Sequence, residues 1–143
     1  MIRTYKPSDL KIIDYIGNQV KSNFVNEYDI DKIELYDWLN LLVYEENEKV
    51  VGFIEFANNV GNIDIYTIAV DEKFKRHGIA TQLIDYVKGN YDYETITLEV
   101  RSKNDAAIKM YQKNGFEIIN TRKKYYENDD AYVMQFKNSK GSI

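Results

Sequence analysis

The order of predicted elements between residues 63 and 100 constrains the fold more than any other feature of this sequence. The alternating apolar stretch Ile63–Val70 predicts a strand, and a turn follows it. A helix is then predicted from about Gly78 to Lys88, with Gly89-Asn90 as its stop signal. Its apolar stripe consists of Ile79, Leu83, Ile84 and Val87. Strand Thr95–Val100 completes a β-α-β unit, which implies parallel strands and a right-handed crossover.

Further elements on both sides extend this unit into an α/β chain. Strands are predicted at Ile2–Lys6, Leu41–Tyr44, Val50–Phe56, Phe116–Lys123 and Ala131–Phe136. Helices are predicted from Pro7, at about residues 30–39, and from a capping-box-like start at Ser102 and Asp105 to about Lys113, where Asn114-Gly115 ends it. The predicted fold is a mixed sheet of six to seven strands flanked by about four helices.

Length and composition indicate an ordinary globular protein. A chain of 143 residues can bury a core without disulfides or metals, and 44% of its residues are hydrophobic. The sequence contains no repeat or Pro/Gly-rich linker, and Pro7 is its only proline. We therefore expect a single domain over residues 1–137, followed by a C-terminal tail over residues 138–143.

Several functional classes are disfavoured by composition. Cysteine is absent and only one histidine occurs, so we expect no disulfide, no thiolate nucleophile and no metal site. No apolar run approaches the roughly 20 residues that a membrane span needs, and the N-terminus lacks a signal-peptide pattern. We therefore expect a cytoplasmic location and no membrane partner. The net charge of -4 argues weakly against a nucleic-acid partner.

The turn before the predicted helix combines small residues with positive charge. Gly78 and Ala80 allow close backbone approach, and a basic cluster surrounds them. It consists of Lys73, Lys75, Arg76 and His77. A helix N-terminus offers unpaired N–H groups and a partial positive charge, so the segment is suited to binding phosphate. An ordinary turn with a solvated basic patch explains the same spacing equally well, and neither the Walker motif nor the dinucleotide motif is present.

A second candidate region begins at the end of strand Thr95–Val100. Glu99 lies near the carboxyl end of this strand, where open α/β sheets place their sites. Asn104 and Tyr111 share one face of the next helix. A carboxylate can take a proton from an amine and a phenol can donate one to a leaving group, which suits amine acylation. The structural alternatives are a partly exposed strand carboxylate for Glu99, a helix cap for Asn104 and a core residue for Tyr111.

Two segments carry a resemblance to a known family. Ile68-Ala69-Val70 followed by Lys75-Arg76-His77-Gly78-Ile79-Ala80 is similar to the acetyl-coenzyme A motif of the GCN5-related N-acetyltransferases (GNAT), although Lys75 replaces the usual Gln or Arg. The run from Leu98 to Phe116 is similar to the L-E-V-R-x-x-N-x-x-A-I-x-x-Y-x-x-x-G-F signature of bacterial ribosomal-protein-alanine N-acetyltransferases. Residues 122–134 continue the similarity, with a shorter loop at 127–130. Residues 1–57 resemble the family only in the order of their elements.

The resemblance implies a role for each candidate residue. Glu99 is implied to be the general base and Tyr111 the general acid, while Asn104 contacts the coenzyme. The implied partners of the acetyl-pantetheine arm are the backbones of Ile68, Ala69 and Val70. The coenzyme phosphates are assigned to Arg76, His77, Gly78, Ile79, Ala80 and Thr81. Tyr125 and Tyr126 resemble tyrosines that line the peptide entrance of N-terminal acetyltransferases, and an aromatic pair packed on the sheet is the alternative.

The function implied by the resemblance is that of an acetyl-coenzyme A-dependent N-acetyltransferase. Transfer is expected to be direct within a ternary complex, since no cysteine is available to carry an acyl-enzyme. The implied acceptor is the α-amine of a protein N-terminus, with ribosomal protein S18 as the subfamily's usual target. The alternatives are a small-molecule amine or a lysine side chain on the same fold, and a non-catalytic acyl-coenzyme A-binding module. We expect a monomer or a homodimer.

Overall fold

The computed structural model describes residues 1–20, 38–126 and 129–138, with no description of the side chains of residues 124–126. The strands are β1 (Ile2–Thr4), β2 (Leu39–Glu46), β3 (Lys49–Asn59), β4 (Asn62–Val70), β5 (Thr95–Arg101), β6 (Glu117–Tyr126) and β7 (Asp129–Lys137). The α-helices of the described ranges are α1 (Leu10–Val20), α2 (Ile79–Asn90) and α3 (Asp105–Lys113), with 3-10 turns at Pro7–Asp9 and Glu72–Phe74. The predicted α/β fold with a mixed, seven-stranded sheet is confirmed.

One predicted helix falls largely on residues that the structure does not describe. The sequence predicts it at about residues 30–39, and residues 30–37 lie outside the described ranges. Leu39 does not belong to a helix, because it begins β2 and pairs with Ala57 of β3. Within the described ranges, no helix is both long and apolar enough to cross a membrane.

The described chain divides into two compact units, and β4 contributes residues to both. The first unit comprises Met1–Ala57 and Thr67–Tyr91. Its strands β1, β2 and β3 are antiparallel neighbours. Ile13 and Ile16 of α1 are fully buried because they fall on the stripe that faces the strands. They pack in a cluster with Leu41, Val43, Val50, Phe53 and Ala69.

The second unit comprises Asn58–Tyr66 and Asp92–Ile143. Residues 62–64 of β4 run parallel to residues 95–97 of β5, as the predicted β-α-β unit requires. Strand β7 pairs antiparallel with both β5 and β6. Alternate residues Ile96 and Leu98 of β5 are buried, and an aromatic contact joins Phe116 to Phe136 with ring centroids 5.8 Å apart. The expectation of one domain over residues 1–137 stays a prediction.

Three helix boundaries differ from those predicted. The helix predicted from Pro7 begins with a 3-10 turn over Pro7–Asp9, and α1 itself starts at Leu10. Helix α2 continues through Gly89 to Asn90, whose side-chain amide donates to the Tyr86 carbonyl at 2.8 Å, so the expected stop signal lies inside the helix. Helix α3 is capped by Asn104 rather than Ser102. The Ser102 hydroxyl instead donates to the carboxylate of Asp129 on β7. Sequence spacing cannot distinguish these two uses of Ser102, since its partner is distant in the chain.

The end of α3 agrees with the prediction. Gly115 follows the helix with φ of 92°, in the left-handed region that glycine adopts without strain. The backbone N–H of Phe116 donates to the Tyr111 carbonyl at 3.0 Å and closes the helix. At the far end of β7, Asn138 is held by two hydrogen bonds, from its backbone N–H to the Glu94 carbonyl and from its side-chain amide to the Tyr93 carbonyl.

Candidate active site

The first candidate region is the connection between β4 and α2, which lies wholly in the first unit. Directly after β4, the backbone N–H of Asp71 donates to the Val51 carbonyl at 2.8 Å. The Asp71 carboxylate then accepts from the backbone N–H of Lys73 at 3.2 Å and caps the 3-10 turn. These two bonds fix the direction in which the chain leaves the sheet toward α2.

Gly78 is the residue from which α2 starts. Its φ of 77° lies in the left-handed region, and a Cβ atom there would meet nothing within 4 Å. The backbone conformation, and not lack of space, therefore explains the glycine. Arg76 also has positive φ, at 69°. The first intrahelical hydrogen bond runs from the Gln82 N–H to the Gly78 carbonyl at 3.0 Å. The hydrogen-bond ladder of α2 therefore begins only at the N–H of residue 82.

The side chains of this connection place positive charge at its surface. Arg76 and His77 are exposed, and His77 packs edge-on against Phe74 with ring centroids 6.2 Å apart. Lys75 pairs with Glu72 at 2.8 Å across an exposed turn. Exposed cations beside a helix N-terminus form an arrangement that suits a phosphate group. Residues 76–81, which the sequence predicts to bind phosphate, therefore form one continuous segment that leads into the first turn of α2.

The end of β4 is held close to its neighbours by a glycine that the sequence analysis missed. Ala69 and Val70 are buried, whereas Ile68 is half-buried. A Cβ atom on Gly52 of β3 would lie 3.1 Å from the Ala69 carbonyl oxygen and 3.2 Å from Cγ2 of Ile79. Gly52 therefore allows the end of β4 and the start of α2 to approach β3. A glycine inside a predicted strand was the signal that could have identified it.

A buried acid in the first unit was also missed. Glu55 of β3 is only 1% exposed, and Thr67 of β4 donates to its Oε1 atom at a long 3.5 Å. No hydrogen-bond partner is found for Oε2 in the structure as described. Burial raises the pKa of Glu55 to about 7. A single glutamate within an apolar strand gives no sequence signal that distinguishes a buried position from an exposed one.

The second candidate region lies in the second unit and begins with Glu99 of β5. Its side chain is 28% exposed, and Val133 of β7 is its partner in the ladder. Arg122 of β6 approaches with Nη2 3.2 Å from Oε1 of Glu99. The candidate base is therefore a carboxylate within reach of solvent and paired with a guanidinium. Arg122 carries no signal of this role in the sequence, since only the strand register brings it to Glu99.

Tyr111 of α3 has a different environment. It is 7% exposed, and its ring lies 5.9 Å from that of Phe116. Burial raises the pKa of the Tyr111 phenol above its ordinary value, because the anion would lose its hydration. A phenol is protonated at neutral pH even at its ordinary pKa, and burial strengthens that preference, so Tyr111 carries a proton that it can donate. A half-exposed carboxylate and a buried phenol thus occupy consecutive elements, β5 and α3, of one unit.

The remaining candidate residues of the second unit are Asn104, Tyr125 and Tyr126. The Asn104 side-chain oxygen accepts from the Ala107 N–H at 3.2 Å and caps α3, which is the structural role considered for it. Tyr125 and Tyr126 are the last two residues of β6, and Tyr126 pairs with Asp129 of β7. The side chains of both tyrosines lie outside what the structure describes, as do residues 127–128. Asp129 and Asp130, assigned from sequence to a loop, begin β7.

Comparison with known proteins identifies the family. The fold is a mixed seven-stranded sheet with helices. The model of the acetyltransferase (GNAT) family matches residues 13–116. The chain therefore belongs to the GNAT acetyltransferase family, whose co-substrate is acetyl-coenzyme A.

Individual relatives agree with this assignment. The chain is 39% identical over 151 residues to an N-alpha-acetyltransferase of Sulfurisphaera tokodaii, covering 93% of this chain and 90% of that protein. It is 31% identical over 126 residues to the probable N-acetyltransferase san of Drosophila melanogaster, covering 79% of this chain and 66% of the relative. Other curated relatives are matched over 45% to 53% of their length, so the chain spans about half of them.

A solved structure shows the same fold. The ribosomal-protein-S18-alanine N-acetyltransferase from Escherichia coli superposes with a TM-score of 0.84, covering 96% of this chain and 92% of that one. The sequence identity is 23%, so this likeness concerns the fold alone.

Proposed function

We propose that this protein is an acetyl-coenzyme A-dependent N-acetyltransferase that acts on the α-amine of a protein N-terminus. The observation that carries the proposal is the pair of unlike groups on β5 and α3. Glu99 offers a partly exposed carboxylate and Tyr111 a buried phenol. A module that only bound the coenzyme would need neither group. The match to an N-alpha-acetyltransferase over 93% of the chain supports the choice of acceptor.

The residues of the first unit fit the coenzyme. Gly78 in the left-handed conformation and the exposed cations beside it fit a phosphate group approaching the start of α2. Residues 76–81 would hold the phosphates, with His77 as a surface contact, and the backbone of residues 68–70 would bond the pantetheine arm. Asn104 would add a contact from its amide. When bound, the coenzyme supplies an acetyl group activated as a thioester.

The two side chains of the second unit would divide the proton transfers. An amine is protonated at neutral pH and must lose a proton before its lone pair can attack, and Glu99 would accept that proton directly or through water. Tyr111 would donate its phenolic proton to the sulfur as the carbon–sulfur bond breaks, and backbone N–H groups near residues 68–70 would stabilise the negative charge that develops on oxygen. The ammonium nitrogen loses two protons in all. Glu99 would accept the first, and the second, released from nitrogen as the amide forms, would return to the Tyr111 oxygen, so that atoms and charge balance.

The acceptor is the finer part of the proposal. A ribosomal protein S18-type N-terminus is the first acceptor to test, and Tyr125 and Tyr126 would line its entrance. A small-molecule amine and a lysine side chain are the competing acceptors, and both are included in the experiment below.

The test is thiol release from acetyl-coenzyme A in the presence of N-terminal peptides, a lysine peptide and spermidine. We expect turnover with an N-terminal peptide, and a loss of kcat by about 10²-fold or more for Glu99→Gln and Tyr111→Phe. Glu94→Gln and Tyr132→Phe are matched controls on β5's preceding turn and on β7, and they should keep turnover. Calorimetry should show that all four variants still bind the coenzyme. Coenzyme binding without release of thiol to any acceptor would contradict the proposal in favour of a binding module.

A further inference from the structure

The strand register of the second unit gathers charged side chains around Glu99. Directly opposed residues of an antiparallel ladder share one face of a sheet. Ala131 of β7 is paired with Arg101 on one side and with Arg122 on the other. Glu99 is paired with Val133, two residues along β7 and therefore on the same face. Two arginines thus lie on the same face as the candidate base, in the adjacent row.

One of these arginines is engaged with the base itself. Arg122 Nη2 lies 3.2 Å from Glu99 Oε1, and the two side chains are 51% and 28% exposed. The neighbouring charges have other partners. Lys123 approaches the Asp130 carboxylate at 3.6 Å, and the buried carboxylate of Asp129 accepts from the Ser102 hydroxyl. The charge of Arg122 is therefore directed to the atom that the proposed mechanism uses.

We propose that Arg122 is a specificity-determining residue, which selects for acceptors whose amine carries no second positive charge close to it. This inference rests on the proposed function, because it takes Glu99 as the group that receives the amine's proton. An ordinary peptide N-terminus meets the requirement, whereas a polyamine such as spermidine does not. Arg122 acts by holding Glu99 and by adding a positive charge beside the incoming amine.

The physical reason is repulsion at short range. Spermidine reaches Glu99 as a polycation, so its additional ammonium groups are repelled by the positive charge of the Arg122 guanidinium. Because Arg122 is half-exposed, solvent screens the repulsion, and an effect of about fivefold on the ratio of acceptors is reasonable. The effect should shrink as salt is added, because the distance over which exposed charges act falls to about 10 Å at 0.1 M salt and shortens further at higher salt.

The experiment compares kcat/KM for a neutral N-terminal peptide with kcat/KM for spermidine. In Arg122→Gln, we expect the spermidine-to-peptide ratio to rise about fivefold at low salt. Arg122→Lys keeps the charge and should restore most of the discrimination. Lys123→Gln is the matched control, because it removes a neighbouring cation of the same strand that pairs with Asp130 instead of Glu99. Thermal unfolding of each variant verifies that the fold is retained.

The outcomes separate this inference from the function on which it rests. A wild-type enzyme that acetylates neither acceptor would overturn the proposed function, and the role of Arg122 with it. Turnover of the peptide with an unchanged acceptor ratio in Arg122→Gln would overturn the role of Arg122 alone. An equal rise of the ratio in Lys123→Gln would also overturn it, since the effect would then be one of general surface charge. A rise that is confined to Arg122→Gln and becomes smaller as salt is added would support it.

Discussion

Glu55 makes the folding stability of this protein depend on pH in a direction opposite to that of most acidic residues. Its side chain is 1% exposed on β3, opposite Leu41 of β2, and Thr67 is its described hydrogen-bond donor. An ionised carboxylate in this position lacks the solvation that it would have in water. Burial therefore raises the pKa of Glu55 from its ordinary value of 4.5 to about 7, and the weak bond from Thr67 offsets only part of this rise.

The sign of the effect follows from proton binding. Between pH 4.5 and 7 the folded protein keeps the proton on Glu55 while the unfolded chain releases it. Stability from this group is therefore complete below the unfolded pKa and is lost as pH rises through about 7. A rise of this size corresponds to at most about 3 kcal/mol, and relaxation around the buried carboxylate makes about 1 to 3 kcal/mol a realistic range.

The perturbation that isolates this term is Glu55→Gln, which keeps the shape of the side chain and removes its titration. The free energy of unfolding in urea is measured at pH 5 and pH 8 for both proteins. We expect the variant to gain about 1 to 3 kcal/mol relative to the wild type on going from pH 5 to pH 8. All other titrating groups are common to both proteins and cancel. Glu48→Gln, in an exposed turn, is the control. Parallel pH curves for wild type and Glu55→Gln would refute the reasoning.

Two further predictions concern stability. Val60 lies in the turn between β3 and β4 with φ of 45° and is fully exposed. Val60→Asn should raise the free energy of unfolding by about 1 kcal/mol, because Asn before Gly61 adopts this turn more easily than a β-branched residue. An unchanged free energy of unfolding in urea would contradict the idea that Val60 is strained. Asp129 is buried and accepts from the Ser102 hydroxyl, so Asp129→Ala should cost about 1 to 3 kcal/mol in the same assay. A loss as large in Asp130→Ala, whose carboxylate pairs with exposed Lys123, would show that burial of Asp129 is not the cause.

The strands of the fold could be predicted from sequence because their signals are local. All seven strands were anticipated, since each alternates or is bounded by turn residues, and the buried stripe of α2 followed from helical spacing. The errors occurred at ends. Gly89 remained helical because the side chain of Asn90 bonds back to Tyr86, and the two residues of the tight turn at Asn47 and Glu48 left more of the hairpin to β2 and β3 than expected.

The candidate functional residues also differ in whether a local sequence signal predicts them. The loop before α2 could be predicted because Gly78 supplies its left-handed backbone and its charged residues are adjacent in the sequence. The contacts of Glu99 were not, because Arg122 lies 23 positions later in the sequence and meets it through two intervening ladders with β7. Nor could the burial of Glu55 be read from its neighbours. Local signals identify elements and turns, whereas the partner of a charge depends on register.

This difference has a consequence for the proposed function. Residues 76–81 would hold the coenzyme mainly through backbone groups, so substitutions of their side chains should leave those N–H groups in place. The proposed chemistry at Glu99 would depend instead on side chains of β5 and β6, where Arg122 places a positive charge beside the carboxylate. Under the proposed function, a change at position 122 would therefore alter the choice of acceptor and leave the coenzyme the same. Differences at the position of Arg122 are where we expect variation in the acceptor to be found.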